Sequence, residues 1–118
     1  FQLIDDVLDY SARQATLGKT VGDDFRDGKI TLTVVLAFRD GDEKARRFWR
    51  RTMEDLEQKK GDLKRAVQLL EGAGALQATV ERAGHYGRLA AAALSVFPES
   101  DHKRALSEAV DFAVNRSY

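Results

Sequence analysis

The first ten residues, FQLIDDVLDY, set three aspartates into an apolar segment with helical spacing. Phe1, Leu3, Ile4, Val7 and Leu8 recur at the intervals of a buried helix face. Asp5, Asp6 and Asp9 stand at i, i+1 and i+4. A helix therefore brings Asp5 and Asp9 to one side, with Cβ atoms roughly 5–6 Å apart, and Asp6 beside them. Aspartate is a poor helix former, and like charges at this spacing repel. Such a segment must bury one face and keep an acidic one, and a sequence that tolerates the conflict does so for a reason outside stability. The carboxylates suit a hard divalent cation, Mg²⁺, whose shell is completed by phosphate oxygens. The competing reading of a DDxxD helix is a solvated acidic face.

The rest of the chain predicts more helices. The first helix is expected from Phe1 to about Ala12. Residues 13–29, RQATLGKTVGDDFRDGK, carry three glycines and little periodicity, and read as a long loop. Loops longer than about 12–15 residues in compact domains are usually functional or disordered. Ile30 to Phe38, ITLTVVLAF, is predicted as a buried helix ending near Gly41, with a strand as the local competitor because of its β-branched residues. Asp42 is expected to cap a helix from Glu43 to about Lys60, with Ala45, Phe48, Trp49, Thr52, Met53 and Leu56 on its apolar face. Asp62 should cap a short helix through Leu70, followed by Gly72 and Gly74 as terminators. A long helix is predicted from Ala75 to Val96, with the Ala90–Ala93 cluster suited to close packing. Pro98 and Ser100 mark the turn into a last helix, which carries Ala105, Leu106, Ala109, Val110, Ala113 and Val114 on one face. The chain therefore reads as all-α.

Composition narrows the function. At 118 residues the chain is one domain's worth or less. Nineteen basic and nineteen acidic residues cancel, which argues against nucleic acid or an anionic membrane surface as partner. Without cysteine there are no disulfides and no thiolate metal sites, consistent with a reducing cytoplasm. No apolar run approaches the ~20 residues of a membrane span. The chain opens at Phe1 already inside a helical pattern with no N-cap before it, so a fragment lacking its upstream part is expected.

Two lysines complete the chemistry. Lys19 lies in TLGKTVGDD and Lys29 in RDGK, where glycines let the backbone approach a ligand. Point charges of this kind suit phosphate. A carboxylate-bound cation facing a basic loop is a clamp for diphosphate, and would stabilise charge developing on a departing diphosphate. Taken singly, each lysine is an ordinary loop residue. Arg46, Arg47, Arg50 and Arg51 read as solvated helix faces, and His85 and His102 have no ligand-spaced partners.

FQLIDDVLDY followed by TLGKTVGDDFRDGKITL resembles the second aspartate-rich motif and following loop of trans-type polyprenyl diphosphate synthases, in particular bacterial enzymes making octaprenyl and decaprenyl chains. The likeness is dense over residues 1–38 and thinner beyond Asp40. It implies the isoprenoid synthase helical fold, with residues 1–118 as the C-terminal portion of a polyprenyl synthetase domain whose N-terminal half is absent. It implies condensation of an allylic diphosphate with isopentenyl diphosphate, using Mg²⁺. Asp5, Asp6 and Asp9 match the metal-holding motif. Phe1 and Gln2 match positions beside the isoprenoid substrates, Lys19 and Lys29 match lysines near the allylic diphosphate, and Asp24 matches a residue that orders water around a metal.

Two departures stand out. Thr33 occupies a position where the family often has proline, and the first aspartate-rich motif is absent from these residues. The chain by itself is thus expected to be inactive. The rival reading is a non-catalytic helical interaction module or truncated homologue, and a terpene cyclase-like enzyme is a third. Exposed apolar helix faces lead us to expect a homo-oligomer.

Overall fold

Every regular element among the described residues is helical, as the apolar periodicity requires. The computed structural model describes residues 1–11 and 20–116. Helix α1 spans Gln2–Asp9, α2 Asp23–Arg26, α3 Leu32–Asp40, α4 Glu43–Trp49, α5 Asp62–Gly72, α6 Ala75–Leu94 and α7 Asp101–Asn115. A π-helical turn, Arg50–Glu54, extends α4.

The core forms where the apolar stripes of these helices meet. Val34 and Ala37 from α3, Trp49 and Met53 around the π-turn, Ala66 and Leu70 from α5, and Ala75 from α6 pack with Tyr10 and Phe25. Helix α1 lies on α6 and α3, burying Ile4 and Val7. Each such aliphatic side chain removed from water contributes roughly 1.5–3 kcal/mol.

Several boundaries differ from the sequence expectation, each for a local reason. The strand alternative for residues 30–38 gives way to α3, with extended Thr31 as its N-cap. That helix is amphipathic rather than wholly buried: Thr33 and Val34 face inward, while Val35 is exposed, as is Ile30 just ahead of the helix. The predicted loop over 13–29 contains the one-turn helix α2; residues 12–19 lie outside the described residues. The helix expected to reach Lys60 stops at Glu54. Its register slips through the π-turn, where the Asp55 N–H bonds to the Arg50 carbonyl, and Leu56 then turns to φ +54° and faces solvent. Tertiary hydrogen bonds hold this break. The Gln58 amide donates to the carbonyls of Phe25 and Thr52, and Arg51 donates to the carbonyl of Glu57. Asp62 does not cap α5. Left-handed Gly61 takes the N-cap position, and the Asp62 carboxylate instead accepts from Arg51 and from the Lys59 N–H. Asp42 and Ser100 do cap their helices, accepting from the N–H groups of Ala45 and Lys103.

Helix α7 packs against α6, and none of its residues is fully buried. The close approach between the two comes at Gly87, where a Cβ would lie 2.7 Å from Val114 Cγ2, and not at the alanine cluster, which is largely exposed. Tyr86, Leu89, Leu106 and Phe112 leave apolar surface on this pair. The radius of gyration is accordingly 16.8 Å, against about 13.5 Å for a compact domain of this length. Among the described residues no helix is long and apolar enough to cross a membrane.

Candidate functional site

The period of α1 separates its three aspartates into different surroundings. Ile4 and Val7 anchor the inner face, which leaves Asp5 exposed, Asp6 buried at the edge of the core and Asp9 half-buried at the last turn. Asp9 fixes what comes next. Its carbonyl accepts the Gly22 N–H at 2.9 Å, and its carboxylate Oδ2 accepts the Asp24 N–H at 3.0 Å. Gly22 meets that demand with φ +82°, a left-handed conformation that glycine adopts without penalty. A Cβ there would also collide with the side chain of Leu63. Phe25 then inserts into the core, and α2 is pinned against the aspartate helix.

This docking returns Lys29 to α1. Its Nζ lies 3.0 Å from Asp6 Oδ1 and 3.4 Å from both carboxylate oxygens of Asp24. Gln2 Nε2 donates to the same Asp6 oxygen at 2.8 Å. Of the residues singled out from the sequence, Gln2, Asp6, Asp9, Asp24 and Lys29 are therefore brought together by direct contacts. Phe1 and Asp5 make none of these contacts; Arg116 touches both instead. Lys19 lies outside the described residues.

The electrostatics describe a region short of positive charge. Burial raises the pKa of Asp9; the Asp24 N–H works against this, and the Asp24 and Asp23 carboxylates push it up again. Tyr10, buried directly after α1, is likewise driven upward, first by burial and then by the charges of Asp9, Asp24 and Asp6. Lys29 is raised as well, its ammonium stabilised mainly by the bond to Asp6. Carboxylates that raise the proton affinity of Asp9 also favour any cation that can enter among them. Among the described residues no three acidic or imidazole side chains close on a single point. The donor set nonetheless fits Mg²⁺, which takes one or two carboxylates and fills its octahedron with water and phosphate oxygens.

Two contributors were not legible as site residues. Tyr10 carried no signal beyond its apolar ring. Arg116 stands 115 positions from Phe1 in the chain, and no local spacing connects them.

The same helical frame occurs in proteins of known class. The polyprenyl synthetase family profile matches residues 1–70. Octaprenyl diphosphate synthase from Haemophilus influenzae is 36% identical over 118 residues, covering 100% of this chain and 36% of that protein. The octaprenyl diphosphate synthase of Escherichia coli is 37% identical, covering 98% of this chain and 36% of its own. A crystal structure of a polyprenyl synthase from Caulobacter crescentus, complexed with calcium and isoprenyl diphosphate, superposes with a TM-score of 0.87 at 46% identity, over 99% of this chain and 36% of that one. A decaprenyl diphosphate synthase from Rhodobacter capsulatus gives a TM-score of 0.86 at 35% identity, over 99% of this chain and 35% of that one. The chain thus spans about a third of the length of these relatives. An all-helical frame shared at this identity, with the aspartate helix and the Lys29 turn inside the matched residues, makes this chain a member of the polyprenyl synthetase family.

Proposed function

We propose that this chain is the part of a long-chain trans-polyprenyl diphosphate synthase that carries its second aspartate-rich motif, and that it holds an allylic diphosphate through Mg²⁺. The protein's reaction is then condensation of that diphosphate with isopentenyl diphosphate, in the cytoplasm. The observation that carries this reading is the Lys29 ammonium lodged between Asp6 and Asp24, a cation already held among carboxylates that otherwise repel. Asp5, Asp6 and Asp9 would hold the metal, and Asp24 would order its water. Bound Mg²⁺ supplies positive charge against the phosphate oxygens as the leaving group departs. Lys29 turns from its carboxylates toward those oxygens, and Lys19 adds a second point charge. Gln2 keeps Asp6 oriented through its amide. Phe1 offers a ring to the isoprenoid chain.

The test is Mn²⁺ binding by calorimetry with inorganic pyrophosphate present, alongside prenyl transfer by the full-length protein. Wild-type protein should bind the ion and the D6N/D9N variant should not, with turnover falling at least a hundredfold, on the order of 3 kcal/mol of barrier. Equal Mn²⁺ binding by both proteins would refute the assignment. A second reading, a helical interaction module acting through copies of itself, is favoured by the apolar surface of α6 and α7. Loss of self-association on Leu106→Glu/Phe112→Glu substitution, with transfer activity absent from wild type, would favour it.

A further inference from the structure

We propose that Arg116 is a positioning residue for the aspartate site, a latch that holds the start of α1 and shares Asp5 with the cation. Its guanidinium carbon lies 4.1 Å from the centre of the Phe1 ring, its Nη2 donates to the Phe1 carbonyl at 3.3 Å, and the same nitrogen is 3.7 Å from Asp5 Oδ1. Three contacts from one planar group fix position as well as charge. The carbonyl it touches is the one that closes the first turn of α1, since it also accepts the Asp5 N–H at 3.1 Å.

A groove of about 400 Å³ lies between α1, α6 and α7, bounded by Phe1, Tyr86, Gly87 and Val114. Val114 packs over Gly87, which brings the end of α7 close enough to α6 for Arg116 to reach α1. The Arg116 side chain is only 18% exposed, while that of Asp5 is 50% exposed. An ion approaching Asp5 thus meets a fixed positive charge already there. Ion and guanidinium compete for one carboxylate, and by linkage each weakens the other's hold. This part rests on the reading of Asp5 as a metal ligand; the clamping of α1 does not.

The experiment compares wild type, R116Q and R116K in the full-length protein. Amide hydrogen exchange in the absence of metal reads the latch, and Mn²⁺ calorimetry reads the competition. R116Q should exchange faster over the first turn of α1 and bind Mn²⁺ about two- to fivefold more tightly, the range for a partly exposed ion pair. R116K should keep wild-type Mn²⁺ affinity because the charge remains, yet exchange faster because an ammonium cannot hold ring and carbonyl together. Unchanged exchange in R116Q overturns the latch. Unchanged or weaker Mn²⁺ binding in R116Q overturns the sharing of Asp5. Wild-type protein that binds no Mn²⁺ overturns the site reading, and the sharing of Asp5 with it, while the exchange measurement still decides the latch.

Discussion

Lys29 Nζ sits 3.0 Å from Asp6 Oδ1, so a buried carboxylate of α1 is neutralised by a lysine that follows α2. The lysine is 46% exposed and the aspartate 8%, so desolvation falls almost entirely on Asp6. Lys29→Gln should therefore cost about 1 kcal/mol of stability, because Asp6 keeps only the Gln2 amide. In a double-mutant cycle with Asp6→Asn, urea unfolding should give a coupling of about 0.5–1 kcal/mol. Additive losses would mean that the two groups do not interact. On the proposed reading, prenyl transfer by the full-length protein should also fall at least tenfold in Lys29→Gln, through loss of a charge proposed to face the diphosphate.

The turn that delivers Lys29 depends on Gly22. At φ +82° any side chain is strained by about 1–2 kcal/mol, and a Cβ would in addition press on Leu63. Gly22→Ala should lower the urea midpoint accordingly. It should also weaken Mn²⁺ binding, because the Asp24 N–H no longer meets Asp9 in the same place. A variant with wild-type midpoint and wild-type affinity would show that the left-handed turn is dispensable.

The extent to which this architecture can be read from the chain follows from the range of the interactions involved. Helices α6 and α7 and the caps at Asp42 and Ser100 are set by local periodicity and short-range hydrogen bonds, and they appear where the residues indicate. The contacts among Gln2, Asp6, Asp9, Asp24 and Lys29 fall within the same reach, since these residues lie within thirty positions of one another. The break after Glu54 does not. It depends on Gln58 reaching the Phe25 carbonyl, 33 positions away, and propensity within residues 43–60 favours an unbroken helix. Asp62 reads as an N-cap because its type and place are right, but Arg51 takes its carboxylate and glycine makes the turn. Arg116 illustrates the same limit at the site itself.

Thr33 offers a test of how freely this frame accepts the family's proline. It stands in the first turn of α3, where a backbone N–H has no intrahelical partner and proline is tolerated. Its hydroxyl is fully buried, 3.3 Å from that of Thr79, which is itself bonded to the Ala75 carbonyl at 2.8 Å. Thr33→Pro thus leaves Thr79 satisfied and should change stability by less than about 1 kcal/mol. Retained helicity in circular dichroism with a thermal midpoint near wild type is the expected result. A loss of several degrees would show that Thr33 itself holds α3 to α6.

Arg51 and Asp62 provide a pH signature remote from the aspartate site. Their two hydrogen bonds, at 2.9 and 3.1 Å, tie the π-turn to the start of α5. The Arg51 bond is the main cause that holds the Asp62 carboxyl below its ordinary value, and the Lys59 N–H acts in the same direction against the cost of burial. Above an unfolded-state value near 3.9, Asp62 is ionised in both states and the pair contributes fully. As pH falls below it, the unfolded chain takes up the proton first, and the contribution is lost through the folded-state pKa. Asp62→Asn should therefore be less stable than wild type by about 1 kcal/mol at neutral pH, with the gap narrowing steadily below about pH 4. Urea unfolding of both proteins across this range measures it. A gap that stays constant down to the lowest pH at which both fold would mean that the pair acts through geometry and not through charge.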